Sequence, residues 1–342
     1  MTVSIKDVAS LANVSSATVS RVLSNKPHIS AEKRQCVLQA AKTLGYQPSH
    51  IARSLRVQSS QIIGLIITDI QNPFFTGLVR AVEDQAYENQ YGVLLCNSDE
   101  NPDKESLYVD LMVAEKVAGV IIVPTSESAG PINKLFNAKI PLVVVDRQIR
   151  DLDLDTVIIN NYKAAYDGIS NLIENGHKRI GAILPTKEVT TGSERYRGYV
   201  GALNHQGISE DPTLIRSGIP KEAIGYQFAN ELMDLSDPPT ALFTGNNLLT
   251  VGTIHAIMDR GMSIPEDISI IAFDDMDWYT IINPKLTAIA QPIYKMGWTA
   301  TDLILKRIND IDKPVERITY KTDLKIRNSV KNIIDSGQKK NQ

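Results

Sequence analysis

Cysteine is almost absent from this chain: Cys36 and Cys96 are the only two, far apart and in unlike surroundings. That excludes a disulfide framework and a cysteine-ligated metal centre, and it fits a reducing compartment. Long apolar runs are missing as well. None approaches the ~20 residues that a bilayer-spanning helix needs. The opening Met-Thr-Val-Ser-Ile-Lys-Asp lacks the apolar core of a secretory signal, so a cytoplasmic protein without membrane association is expected. Phosphate-cradling glycine loops are absent too, with neither Gly-x-Gly-x-x-Gly after a strand nor a Gly-x4-Gly-Lys-Ser/Thr run. His177, His205 and His255 have no spaced partners and read as surface or capping residues. No catalytic residue, cofactor or metal is therefore expected.

Charge, by contrast, is unevenly spread. Residues 1–60 hold eight Lys and Arg against Asp7 and Glu32, a net of +6, which leaves −9 for the rest of a chain totalling −3. A small basic head on an acidic body points to nucleic acid as the partner of the head. Ser4 with Asp7 makes a capping-box start for a first helix carrying Val8, Leu11 and Ala12. Ser15 opens a second, with Ala17, Val19, Val22 and Leu23 as packing positions and Ser16, Thr18, Ser20 and Arg21 polar. Ser30 opens a third that packs Val37, Leu38, Ala41 and Leu44 and stops at Gly45. Two short helices across a tight turn fit helix-turn-helix geometry, in which the start of the second helix lies over base edges in the major groove.

Between Pro48 and Ser60 lies a marginal helix of about ten residues, too short to be stable alone in water. Ile51, Ala52 and Leu55 share one face of it, beside Arg53 and Arg56. From Gln61 the texture changes to apolar strands alternating with amphipathic helices. Strands are expected at 62–67, 93–96, 117–123, 142–145 and 155–159, and a second series at 179–184, 213–217, 240–243 and 268–273. Continuous apolar strands mark parallel sheets covered on both faces, and two such series imply two doubly wound lobes. Ligands of such sheets bind beyond the strands' carboxyl ends, so a cleft between the lobes is the expected site.

The runs Ile5-Lys-Asp-Val-Ala9, Val14-Ser-Ser-Ala-Thr-Val-Ser-Arg-Val-Leu23, Gly45-Tyr-Gln-Pro48 and Ala52-Arg-Ser-Leu-Arg56 together resemble the LacI/GalR family of bacterial transcriptional regulators. Gly64-Leu-Ile-Ile-Thr-Asp-Ile-Gln-Asn-Pro-Phe-Phe75, Val145-Asp-Arg147, Ala272-Phe-Asp-Asp275 and Gln291-Pro292 look like that family's effector-binding core, so the likeness spans essentially the whole chain. It departs at Ser49, where many members have Asn. The resemblance implies a small all-α helix-turn-helix head at 1–46, a hinge helix and linker at 47–60, and an α/β periplasmic-binding-protein-like body of two doubly wound parallel-sheet lobes at 61–335. The lobes would comprise about 61–160 with 291–322, and about 161–290 with 323–335, ahead of a disordered tail at 336–342.

It also implies a homodimer reading a pseudo-palindromic operator in double-stranded DNA. Base contacts would fall on Ser16, Ala17 and Arg21, with Arg21 the candidate for a bidentate guanine contact. Thr18, Ser20 and Asn25 would hold phosphates. The hinge would place Ala52, Arg53, Leu55 and Arg56 on the DNA, with Leu55 wedged into the minor groove.

In the cleft, the pattern of ribose-binding relatives implies effector contacts from Asn72, Phe74, Phe75, Asp146, Arg147, Arg195, Asn246, Asp274 and Gln291. The pattern's aromatic near Ile219–Pro220 is missing, and Asn247 replaces a common Asp. Trp278 is expected near the cleft rim, in surroundings that resemble ketodeoxygluconate repressors. The effector would be a pentose, hexose or sugar acid that releases the repressor from DNA. The alternatives are an effector or phosphocarrier protein acting as co-repressor, and a sugar-binding receptor without DNA function.

Overall fold

The computed structural model describes residues 3–23, 29–46 and 60–334. They divide into two units, Met1–Ser60 and Gln61–Gln342. Asn25 and the hinge residues Ala52, Arg53, Leu55 and Arg56, with the tail from 335 onward, lie outside the described residues.

The first unit is a small helical bundle: α1 (Ile5–Leu11), α2 (Ser16–Leu23) and α3 (Ala31–Thr43). The Asp7 carboxylate accepts from the Ser4 N–H at 2.8 Å and the Ser4 hydroxyl at 2.7 Å, closing the start of α1. Ser15 Oγ accepts from the Thr18 N–H at 3.2 Å to open α2. At the end of α3, Gly45 adopts φ +61°, and the Tyr46 and Gly45 N–H groups bond back to the Ala41 and Lys42 carbonyls, a Schellman stop. The core is Val8, Ala9, Val19, Val22, Val37, Ala40 and Ala41. Three packing expectations are corrected. Leu11 and Ala17 are exposed, and Leu38 is half exposed while Ala40 takes the inward position, because Val37, Ala40, Ala41 and Leu44 make the continuous 3–4 spaced face.

The body holds two six-stranded sheets. The first is built from β1 (Ile62–Ile67), β2 (Gly92–Asn97), β3 (Gly119–Ile122), β4 (Leu142–Val145) and β5 (Asp155–Ile159) with helices α4 (Pro73–Glu88), α5 (Pro102–Ala114) and α6 (Asn133–Asn137). The chain then enters the second lobe through α7 (Asn161–Glu174), β6 (Ile180–Pro185), α8 (Thr190–His205), β7 (Ile215–Gly218), α9 (Glu222–Met233), β8 (Ala241–Thr244), α10 (Asn247–Asp259), β9 (Ser269–Phe273) and β10 (Thr287–Ala290). It returns through α11 (Ile293–Asn309) and β11 (Arg317–Tyr320), and crosses again to β12 (Asp323–Lys325). The strand orders are β11-β5-β4-β3-β1-β2 and β12-β10-β9-β8-β6-β7. All pairings are parallel except β10 with β12.

The central strands are buried along their whole length, with β3, β4, β8 and β9 covered at every position. That is what continuous apolar strands require of helices on both faces. Three crossovers, after β5, β10 and β11, join the lobes and leave the carboxyl ends of both sheets facing one cleft. His177 is not a surface residue. It is 1% exposed, and its ring bonds Thr240 Oγ1 at 2.9 Å and the Lys331 carbonyl at 3.1 Å, tying the C-terminal segment to the second lobe.

Candidate functional site

In the head, Val19 and Val22 turn α2 inward, leaving Ala17 and Arg21 in one exposed row and the half-buried Ser16 and Ser20 in the next. Rows of i and i+4 residues are what a groove-reading helix presents. The Thr18 hydroxyl lies 3.0 Å from Ser15 Oγ, inside the helix cap.

In the body, all nine expected cleft residues line one cavity: Asn72, Phe74, Phe75, Asp146, Arg147, Arg195, Asn246, Asp274 and Gln291. Asp69, Glu100, Pro185, Thr191 and Pro220 join them. Helix caps position two of the amides. Asn72 Oδ1 accepts from the Phe74 N–H at 2.9 Å to start α4, and Asn246 Oδ1 accepts from the Leu248 and Leu249 N–H groups at 2.8 and 3.3 Å to start α10. Each carbonyl is thus taken up by a cap, so each side chain can offer a ligand its NH2. Phe74 and Phe75 pack edge to face, 5.0 Å between centroids, and both are buried.

Asp146 and Asp274 follow β4 and β9 at corresponding places in the two lobes, with left-handed φ of +68° and +69°. Non-glycine residues held there store backbone strain of about 1–3 kcal/mol each, a feature that collects at ligand sites. Asp274 accepts from the Asn247 N–H and Nδ2 at 3.2 and 3.0 Å and from Gln291 Nε2 at 2.6 Å. Asp146 has Arg147 Nε at 3.9 Å. Burial pushes its carboxyl up to about 6, a rise that Arg147 and Arg195 limit.

Arg147 lies closer to Glu100 than to the adjacent Asp146. Arg147 makes a fork to Glu100, 2.8 and 2.5 Å, and donates to the Pro124 carbonyl at 2.9 Å. Burial lowers its guanidinium, but Glu100 and Asp146 outweigh that and raise it. Arg195 donates to Asn161 Oδ1 at 2.8 Å and the Gly245 carbonyl at 2.6 Å, and lies 3.6 Å over the Phe273 ring. Burial lowers it. Arg147 Nε, Gln291 Oε1 and the neighbouring Asn247 Oδ1 are buried with no hydrogen-bond partner among the described residues. Orphaned polar atoms around a cavity are costly unless something fills it.

The lobes also touch directly across the cleft. Asn247 Nδ2 donates to Asn72 Oδ1 at 2.7 Å, and the Gln148 N–H donates to Thr190 Oγ1 at 3.0 Å. The cavity is partly open to solvent and has a volume of about 30 Å³, room for about one or two waters. Trp278 does not line this cavity. It lies in a separate apolar groove with Ile254, Met258 and Ile282, because the 3-10 turn Asp277–Thr280 buries Tyr279 and swings its neighbour onto the outer side. Sequence reasoning missed Glu100 and Asp69, whose partners are far away in the chain.

Among the described residues no group of His, Cys, Asp or Glu could hold a metal ion, and no helix is long and apolar enough to cross a membrane. Residues 60–330 match the periplasmic binding proteins and sugar binding domain of LacI family, and residues 4–49 match the bacterial regulatory proteins, lacI family. The HTH-type transcriptional repressor PurR of Mannheimia succiniciproducens is 34% identical, covering 96% of this chain and 99% of its own. Catabolite control protein A of Priestia megaterium is 33% identical, covering 95% and 99%. A ribose-bound LacI family transcriptional regulator from Enterococcus faecium superposes with a TM-score of 0.74 at 31% identity, over 80% of this chain and 99% of that one. The Lac repressor dimer bound to operator and an anti-inducer shares the fold, with a TM-score of 0.85 at 24% identity over 97% and 100% of the two chains. The chain belongs to the LacI family of bacterial regulatory proteins, and it is a DNA-binding transcriptional repressor of that family.

Proposed function

We propose that this cytoplasmic repressor binds a pseudo-palindromic operator as a homodimer and is released when a neutral polyhydroxylated molecule, a pentose or hexose, occupies the cleft. The observation that carries it is the convergence of buried carboxylates, guanidinium groups and amides from both lobes on one cavity floored by Phe74 and Phe75. Carboxylates and arginines each take two adjacent hydroxyls, and aromatic rings cover a sugar's apolar face. Charge narrows the class. Asp69, Glu100, Asp146 and Asp274 line the cavity against Arg147 and Arg195, and Arg147 is already matched by Glu100. A ligand carboxylate or phosphate would add another buried negative charge where four carboxylates already outnumber two guanidinium groups, which is unfavourable. A sugar acid is therefore disfavoured relative to a neutral sugar. A purine is disfavoured by the missing second aromatic, since Pro220 stands at that wall.

On the DNA side, Arg21 and Ala17 are the base-facing pair, with Ser16 and Ser20 beside them. Two apolar surfaces support the homodimer. Leu107 and Leu111 on α5 with Leu95 on β2 are exposed in the first lobe, and Met258 and Ile281 are 67% and 82% exposed in the second. The second lobe's surface borders a groove of about 1060 Å³. Patches of this kind mark protein contacts.

Operator binding titrated with and without a panel of pentoses, hexoses, their acids and purines tests the whole scheme. A neutral sugar that weakens operator binding and raises the melting temperature is the expected result. If only a purine or a sugar acid acts, or the ligand tightens DNA binding, the effector class or the direction of the response is wrong. An effector that tightens operator binding would act as a co-repressor, the alternative reading. Deletion of residues 1–60 should abolish DNA binding, and wild-type affinity should fall by orders of magnitude from low to physiological salt.

A further inference from the structure

Lys221 stands at the N-cap of α9 without making a side-chain cap bond. That is a poor place for a lysine, because the helix dipole disfavours a cation there and the ammonium has no acceptor with which to cap. Its position is explained by the other lobe. Nζ reaches across the mouth of the cleft to Asp69 Oδ2 at 2.7 Å and Asp99 Oδ1 at 3.1 Å, in the loops after β1 and β2. Asp69 and the adjacent Pro220 line the cavity. The Asp69 side chain is only 8% exposed, so its counter-charge comes from the opposite lobe. Its other oxygen accepts from the Gln71 N–H at 2.9 Å, which fixes the carboxylate in place.

The second acceptor is equally constrained. Asp99 and Glu100 are consecutive left-handed residues, φ +56° and +55°. This two-residue turn points Asp99 at Lys221 and Glu100 at the Arg147 guanidinium. Lys104 also approaches Asp99, at 3.6 Å, but from its own lobe. The hydrogen bonds from Asn247 to Asn72 and from Gln148 to Thr190 that also cross the cleft are between neutral groups. Burial lowers the Lys221 ammonium, but its two carboxylates outweigh that and raise it, while Lys221 holds the Asp99 carboxyl down.

We propose that Lys221 is an electrostatic latch that favours the closed arrangement of the cleft, so that any effector enters and leaves only when the Lys221–Asp69–Asp99 bridge opens. Lys221 is a positioning residue here: it acts by bringing the two walls of the cavity together. The walls approach so closely that the cavity between them measures about 30 Å³, too little for a monosaccharide, so exchange requires them to part. The latch concerns the body alone and stands whatever the effector is.

The test therefore needs neither effector nor DNA. Full-length protein carrying Cys36→Ser, with spin labels introduced at the exposed Asp103 and Gln227 on the two lobes, reports the interlobe distance when diluted with unlabelled protein. Cys96 is buried and its thiol is pushed up by burial, so it does not take label. The wild type should show a predominant short distance. Lys221→Met should lower the ratio of closed to open populations about fivefold, the scale of a partly exposed ion pair, and Lys221→Arg should restore most of it. Raising salt from about 50 mM to about 1 M should open the wild type and leave Lys221→Met unchanged. Superimposable distributions for wild type and Lys221→Met, or a salt response that survives Lys221→Met, overturn the latch.

Discussion

Asp146 is a cleft residue whose charge changes near neutral pH. Burial raises its carboxyl to about 6, above the unfolded value of about 3.9. Between those values the folded state binds the extra proton, so this group's contribution to stability falls as pH rises from about 4 to about 6 and is flat above. Ligand binding should run the other way. A hydroxyl donating to Asp146 favours the carboxylate, so effector affinity should rise from pH 5 to 7 with a midpoint near 6, and binding at pH 6 should release protons. Calorimetry in buffers of differing ionisation enthalpy measures that release, and Asp146→Asn should flatten the profile. Arg195 is the counterpart on the other lobe. Arg195→Met leaves the Gly245 carbonyl and Asn161 Oδ1 without their donor and should cost about 2–4 kcal/mol in urea unfolding.

At the scale of elements, α9 and α10 are the most tightly apposed pair in the second lobe, and glycine makes that approach possible. A Cβ at Gly252 would lie 1.9 Å from the Glu222 carbonyl and 2.5 Å from the Tyr226 nitrogen. Gly252→Ala must push α9 away, at about 1–3 kcal/mol. Because Glu222 directly follows Lys221, the same variant should also loosen the cleft, seen as a shift in interlobe distance together with a lower melting temperature. The sheet centres were legible from sequence because strands such as Ile62–Ile67 and Leu142–Val145 carry no polar side chain. The edges were not. In β11 exposed and half-buried residues alternate, and β12 has three residues, so neither stands out from a loop. The nine residues that line the cavity were legible through the pattern of ribose-binding relatives, and most of them follow a strand or stand at the start of a helix. The partners that hold them were not: Glu100 meets Arg147 across 47 residues, and Lys221 meets Asp69 across 152.

For the whole molecule, operator affinity and effector affinity should be separable by where a substitution falls. Arg21→Ala removes an exposed α2 side chain outside the head's core, so it should weaken operator binding by about 1–3 kcal/mol and leave the body's melting and effector response unchanged. The apolar surface of the second lobe offers the sharper separation. A charge at Met258, Met258→Asp, lies outside the effector cavity and beside the groove that contains Trp278. If that surface joins two copies, the variant should sediment as a monomer and bind the effector as the wild type does. It should nonetheless lose most of its operator affinity, because two linked heads reading two half-sites gain far more than either alone. A monomer with full operator affinity would detach DNA reading from dimerisation, and a dimer with intact affinity would place the interface elsewhere on the body.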